Sequence, residues 1–178
     1  MSDQNLIDEL THAAKLDPKR RGELAELAFM RKAANLGFAV AKPWGDSDRY
    51  DVVVRFERTF WRVQIKSVLA KCSGRTHYRF QTRNSSRNPY SPNDIDFLVG
   101  YVFPEDLWYV FPVQVIEHSI TVSVRPGFQK SRFEQYREKW DLMRLAAANC
   151  ESLCHNGLGK GTASAVPQTP VNYEGFSP

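Results

Sequence analysis

The chain has 178 residues, 42% hydrophobic and 25% charged, enough for one globular domain with a substantial core. It shows no apolar run long enough to span a bilayer and no secretory h-region, and three unevenly spaced cysteines do not make a disulfide framework, so a cytoplasmic protein without a membrane partner is expected. A net charge of +4 and a pI near 9.0 suit a nucleic-acid partner without establishing one.

Residues 1–17 read as an N-terminal extension, in which LIDELTHAAKL makes a short helix stopped at Asp17-Pro18. A single domain is expected over residues 18–148. It opens on the basic run Lys19-Arg20-Arg21, a solvated face that is also placed to meet phosphate. GELAELAFMRKAANLGF follows, and the spacing of Leu24, Leu27, Ala28, Arg31, Ala34 and Leu36 predicts an amphipathic helix ended by Gly37. Glu23 and Glu26 sit on its first turns, where helix-dipole compensation accounts well for Glu23 and either side chain has room to point at the hairpin of residues 50–67. FAVAKPW is strand-like and Gly45-Asp46-Ser47-Asp48 is a turn, whose aspartates are expected to cap their own backbone. Trp44 is expected to pack on a sheet edge in preference to lying against nucleic acid.

The stretch YDVVVRFERTFWRVQIKS, residues 50–67, reads as a hairpin turning at Glu57-Arg58. That turn sets Asp51 opposite Gln64, with Lys66 two residues further along the same face. Val52, Val54, Phe56, Trp61, Val63 and Ile65 collect on the face that wants a core, and Asp51, Arg55, Arg62, Gln64 and Lys66 on the other. An acid, an amide and an amine within reach of one another make either an active-site arrangement or a solvated sheet face.

After Ser67 the chain becomes basic, with Lys71, Arg75, Arg79, Arg83 and Arg87 and no acid before Asp94. Thr76 to Arg83 alternates as a strand does, with His77, Arg79, Gln81 and Arg83 on one face and Tyr78, Phe80 and Thr82 on the other. Arginine and glutamine on a ribbon are the residue types that reach phosphates and base edges, so the stretch from 71 to 87 is expected to contact DNA rather than complete the core. The loop from Asn84 to Asn93 is expected to be mobile without a partner, and Asp94 and Asp96 to cap turns or to give outer support to Tyr90 or to the site. IDFLVGY (95–101) and LWYVFPV (107–113) predict two buried strands around the turn 103–106, and residues 120–124 a further short strand. Lys130 to Ala148, with Phe133, Tyr136, Trp140 and Met143, reads as a closing amphipathic helix. Residues 149–178, rich in Gly, Pro, Ser and Thr, read as a disordered tail, in which Cys150, Cys154 and His155 are too few to make a zinc site.

Asp51, a strand, then Gln64-Ile65-Lys66, written YD…QIK, with a glutamate upstream in GELAE, resembles the signature of the PD-(D/E)xK nuclease superfamily. The spacing through AKPWGDSDRYD to RVQIKS is similar to that of small homing-type endonucleases and Holliday-junction resolvases. The likeness is strong over residues 18–68 and loose beyond. Two departures stand out: Tyr50 replaces the motif proline and Gln64 the second acid. The resemblance implies an α/β (α+β) fold with a restriction-endonuclease-like core, a central mixed β-sheet flanked by helices. It implies catalytic Glu26, Asp51, Gln64 and Lys66, with Glu26 favoured over Glu23 as the acid after the small residue. Mg²⁺, with Mn²⁺ as a substitute, would be held by Glu26, Asp51, Gln64 and the Ile65 backbone carbonyl, and more weakly than usual because an amide carries no charge. Lys66 would orient water or stabilise developing negative charge.

The function implied is metal-dependent endonucleolytic cleavage of double-stranded or branched DNA, of homing or mobile-element type. DNA contacts are expected from Arg20, Arg21, Lys71, Arg75, His77, Arg79, Gln81, Arg83 and Arg87. A homo-oligomer, dimer or tetramer, follows from the need to cut two strands with one small site. Three alternatives stand beside this: a catalytically impaired DNA-binding protein on the same fold, a junction resolvase, and an interaction domain sharing the fold pattern only.

Overall fold

The computed structural model describes residues 17–145 apart from Asp46 and Ser85, so the expectations for the N-terminal stretch, Asp46, the tail and its cysteines lie outside the described residues. Helix α1 (Pro18–Asn35) precedes strands β1 (Ala39–Ala41), β2 (Val52–Phe56), β3 (Thr59–Val68), β4 (Tyr78–Gln81), β5 (Phe97–Val102), β6 (Leu107–Pro112) and β7 (Thr121–Val124). Five strands form a mixed sheet in the order β1-β2-β3-β5-β6, antiparallel except for the parallel β3–β5 pair, and β4 pairs with β7 in a separate two-stranded ribbon.

Asp17-Pro18 starts α1. The Asp17 carboxylate accepts from the N–H groups of Lys19 and Arg20 at 2.9 and 3.0 Å, and Pro18 occupies a first-turn position where no amide is needed. At the other end Gly37 takes φ 87°, letting its own N–H reach the Ala34 carbonyl and that of Phe38 reach the Ala33 carbonyl. The buried stripe is Ala25, Phe29 and Ala33, a strict i, i+4, i+8 row, whereas Leu27 is exposed. The small alanines let α1 lie close on the sheet while Phe29 packs against Trp108 and Trp140.

The hairpin register is as expected: Val52 pairs with Val63 and Phe56 with Thr59, which sets Asp51 opposite Gln64. Glu57 carries the left-handed φ of 54° that a two-residue turn needs at its first position. Val52, Val54, Val63 and Ile65 join Phe97, Val99, Tyr101, Trp108 and Val110 in the core beneath α1.

The opposite face of the sheet is a second core rather than open polar surface. Leu98, Val102, Tyr109 and Phe111 pack there against Tyr78, Phe80, Val122 and Val124 of the ribbon. This corrects the expectation for residues 71–87: their alternation holds, with Arg79, Gln81 and Arg83 exposed, but Tyr78, Phe80 and Thr82 are buried and complete the core. Gly100 makes the fit, since a Cβ there would stand 2.7 Å from the Phe80 ring.

Three further expectations are revised. Residues 130–140 do not continue a helix. They form turns, a 3₁₀ turn (Glu134–Tyr136) and a bridge from Arg137 to Tyr109, because Glu134 and Glu138 are drawn to Tyr109 and to the Trp108 amide; helical geometry begins only at 141–145. The loop from Asn84 to Asn93 is pinned rather than free: Asn84 bonds Asn88, Tyr90 bonds Thr82, and Arg62 holds the carbonyls of Pro92 and Asn93 along with the Asp96 carboxylate. Trp44, expected to pack, is fully exposed.

Candidate active site

Side-chain alternation puts Asp51, Gln64 and Lys66 on one face of the hairpin, at the margin of the second core where the sheet is left uncovered. The Asp51 Oδ2 accepts from the Ile65 N–H at 2.7 Å and from the Gln64 side-chain amide. Gln64 Nε2 also lies 3.3 Å from the Ile65 carbonyl oxygen, so one N–H₂ group stands between two oxygens, Asp51 Oδ2 and Ile65 O. At its other end the Gln64 Oε1 accepts from the Tyr90 hydroxyl at 2.9 Å. Both Gln64 and Tyr90 are buried, at 6% and 4% exposure, so this chain of bonds is shielded from water.

Tyr90 does a second thing: the Lys66 ammonium lies over its ring, 5.6 Å from the centroid. One tyrosine therefore steadies both Gln64 and Lys66, and the pinned loop 84–96 holds it there. The sequence marks Tyr90 only as a lone aromatic between Pro89 and Ser91 in a polar loop, which is too little to place it in the site.

Burial raises the Asp51 carboxyl to about 6, against 3.8 ordinarily; the Glu26 charge adds to the rise, while the Ile65 N–H, Lys66 and Lys42 oppose it. The Lys66 ammonium is lowered by burial and propped up by Asp51 and Glu26. Tyr90 is pushed up to about 12, by burial first and then by the Asp51 and Asp94 charges. Two carboxylates, Asp51 and Glu26, and two amines, Lys66 and Lys42, thus share a poorly solvated space.

Glu26 reaches this space from α1, one residue past buried Ala25. It lines a cavity of about 280 Å³ together with Asp51, Gln64, Ile65 and Lys66, and its carboxylate holds Lys42 Nζ at 2.7 Å. Glu23 instead pairs with Arg20 at 2.8 Å. An adjoining cleft of about 610 Å³ runs from Ser47, Asp48 and Arg49 past Asp51, Gln64 and Lys66 to Gln81, Arg83 and Asn84 on the ribbon side.

Of the residues expected at DNA, Gln81 and Arg83 line that cleft. Lys71 is engaged elsewhere, 3.6 Å from Glu105 and over the Tyr78 ring. Arg75, Arg79 and Arg87 are exposed and His77 is half-buried, and none of them lines the cleft. On α1 it is Lys19, not Arg20 or Arg21, that lines a cavity with Glu26 and Asp51. Asp94 caps Ser91 and pairs with Arg49, and Asp96 clamps Arg62, which places both in turn-building roles.

The donor set fits a hard divalent cation. It offers carboxylate oxygens from Asp51 and Glu26 and a backbone carbonyl from Ile65, and the burial and the Glu26 charge that raise Asp51 are what such an ion would offset. Gln64, as oriented, turns its nitrogen and not its oxygen toward Asp51. Among the described residues no three acidic, histidine or cysteine side chains gather at one point, in keeping with an amide where the signature has an acid.

No curated protein sequence matches the chain. A solved structure does: a bacterial homing endonuclease, I-Ssp6803I, is 32% identical and superposes with a TM-score of 0.66, covering 76% of this chain and 98% of that one. Residues 16–143, which hold the hairpin, the helix carrying Glu26 and the whole of both cores, match the PD-(D/E)XK endonuclease family, and to that family the chain belongs.

Proposed function

We propose that the protein is a metal-dependent DNA endonuclease of homing type, with Asp51, Glu26, Gln64 and Lys66 as its catalytic residues. The observation that carries this is the meeting of Asp51, Gln64 and Lys66 with the Ile65 backbone and the helix-borne Glu26 around one cavity. The 32% identity to a homing endonuclease supports the homing type over a resolvase.

Asp51, Glu26 and the Ile65 carbonyl would hold Mg²⁺ or Mn²⁺, which when bound supplies Lewis-acid charge for phosphodiester hydrolysis. The chain's own groups do the rest. Gln64 contributes its oxygen by a half-turn of the amide, and Tyr90 holds either orientation because its hydroxyl both donates and accepts. Lys66, its pKa depressed by burial, orients the attacking water and meets charge developing on the phosphate. Arg83 and Gln81 face the strand entering the cleft from the ribbon side. Two copies would cut the two strands of a duplex.

The test is nicking of supercoiled plasmid DNA with Mg²⁺ or Mn²⁺ against EDTA. Metal-dependent linear or nicked product is expected. DNA binding without cleavage under any divalent ion would favour an impaired DNA-binding protein, which Gln64 specifically motivates.

A further inference from the structure

Trp44 is 100% exposed, and among the described residues the next most exposed large apolar side chain is Phe60 at 63%. An indole left wholly in water has a large apolar area with nothing to bury it. Its place in the fold sets it apart. Pro43 and Gly45, on either side of it, line the cavity of about 330 Å³ that also contains Glu26 and Asp51. Lys19 and Lys42 line the same cavity beside Glu23, Glu26, Asp48 and Asp51, with Lys42 paired to Glu26, so the indole stands at the margin of the candidate catalytic site.

Resting on the nuclease reading, we propose that Trp44 stacks on a nucleobase of the DNA at the rim of the catalytic cleft. A base offers a flat π-face that matches one isolated aromatic, and under the nuclease reading the DNA must pass Glu26 and Asp51 beside it, with Lys19 on the same cavity to meet a phosphate. A second copy of the chain fits the site less well. One indole buries at most about 250 Å², against the roughly 1,200–2,000 Å² of a stable interface, and the cavity beside it adds only Pro43 and Tyr50 to the apolar surface. Stacking needs a base that is unpaired, terminal or partly unstacked, so Trp44 would select or create such a distortion beside the cleavage site.

The fluorescence of the full chain reads this directly. Trp108 and Trp140 are buried and Trp61 is half-buried, which leaves Trp44 as the tryptophan most open to acrylamide. In EDTA, so that no cleavage occurs, a 40-base-pair duplex and the same duplex with a single-stranded tail are added while binding is followed by anisotropy of labelled DNA. Acrylamide quenching is expected to fall as either DNA saturates, and further with the tailed one. Trp44→Ala and Trp44→Leu should weaken binding by roughly five- to 150-fold, the equivalent of about 1–3 kcal/mol for one stacked base. Trp44→Phe should retain most of the affinity, and no variant should change the slope of log K against log salt or the melting temperature. DNA binding with unchanged quenching, or Trp44→Leu binding like wild type, would overturn the stacking role and leave the nuclease reading intact. Protection that appears with protein concentration alone would assign Trp44 to self-association and also overturn it. Failure to bind either DNA at low salt would remove the stacking proposal and the nuclease reading together.

Discussion

Replacing Asp51 by Asn should make the metal-free protein more stable while abolishing cleavage. The Asp51 carboxyl stands at about 6 in the fold against 3.8 ordinarily, chiefly because it is buried. A folded-state pKa above the unfolded one means that the fold takes up a proton the unfolded chain does not hold. Stability is therefore highest at low pH, falls as pH rises from about 4 to about 6, and stays low above that. At about 1.36 kcal/mol per pH unit the ceiling is about 3 kcal/mol at pH 8. Asparagine removes this penalty and still accepts from the Ile65 N–H, but it deprives buried Lys66 of a counter-charge, leaving a gain of about 1–2 kcal/mol. For a chain of this size that is a rise of roughly 2–8 °C in Tm. The assay is thermal melting in EDTA at pH 5 and pH 8, repeated at pH 8 with Mg²⁺. Wild type should lose stability between the two pH values and regain it with Mg²⁺, since an ion that binds only the folded state stabilises it. Asp51→Asn should show a smaller pH difference and no response to Mg²⁺. A variant no more stable than wild type at pH 8, with the pH difference unchanged, would refute the desolvated-carboxylate argument.

Other expectations follow from the same geometry. Gln64→Glu should lower the Mg²⁺ concentration for half-maximal cleavage by roughly tenfold, because it adds a charge beside Asp51. Without metal the variant should lose roughly 1–3 kcal/mol at pH 8, since the amide donor to Asp51 Oδ2 is gone; an unchanged metal titration would place Gln64 outside the metal's ligands. Gly100→Ala should cost about 1–3 kcal/mol, read by denaturant melting, because its Cβ would meet Phe80 at 2.7 Å and push the ribbon off the sheet. Arg83→Ala should flatten log K against log salt by about 0.9 for each phosphate the arginine neutralises without moving the melting temperature, since its side chain is exposed at the cleft. Unchanged affinity and slope would take the ribbon out of the DNA path.

The legible parts of the fold were those where one local rule decides. The hairpin register followed from period-two alternation and a two-residue turn, and those two rules alone put Asp51 opposite Gln64. Strands β5 and β6 were legible because buried strands read as apolar runs. Illegible were features set by partners remote in sequence. Glu134 and Glu138 break the expected closing helix because they are needed at Tyr109 and Trp108, some 25–30 positions away. Tyr90 gained its place from Arg62 and Gln64, neither of which marks it locally. Alternation in residues 78–82 gave the two faces correctly but not which layer would take the apolar one. That depended on Gly100, whose missing side chain opens the seat for Phe80.

Lys66 gives the most direct test of the catalytic assignment, because its ammonium rests over Tyr90 rather than in either core and its loss should spare the fold. Single-turnover cleavage of plasmid DNA in saturating Mg²⁺ should fall on the order of a hundredfold in Lys66→Ala, the scale set by one group stabilising a developing charge at about 3 kcal/mol. Metal-dependent cleavage by Lys66→Ala at the wild-type rate, with DNA binding equally intact, would contradict the site.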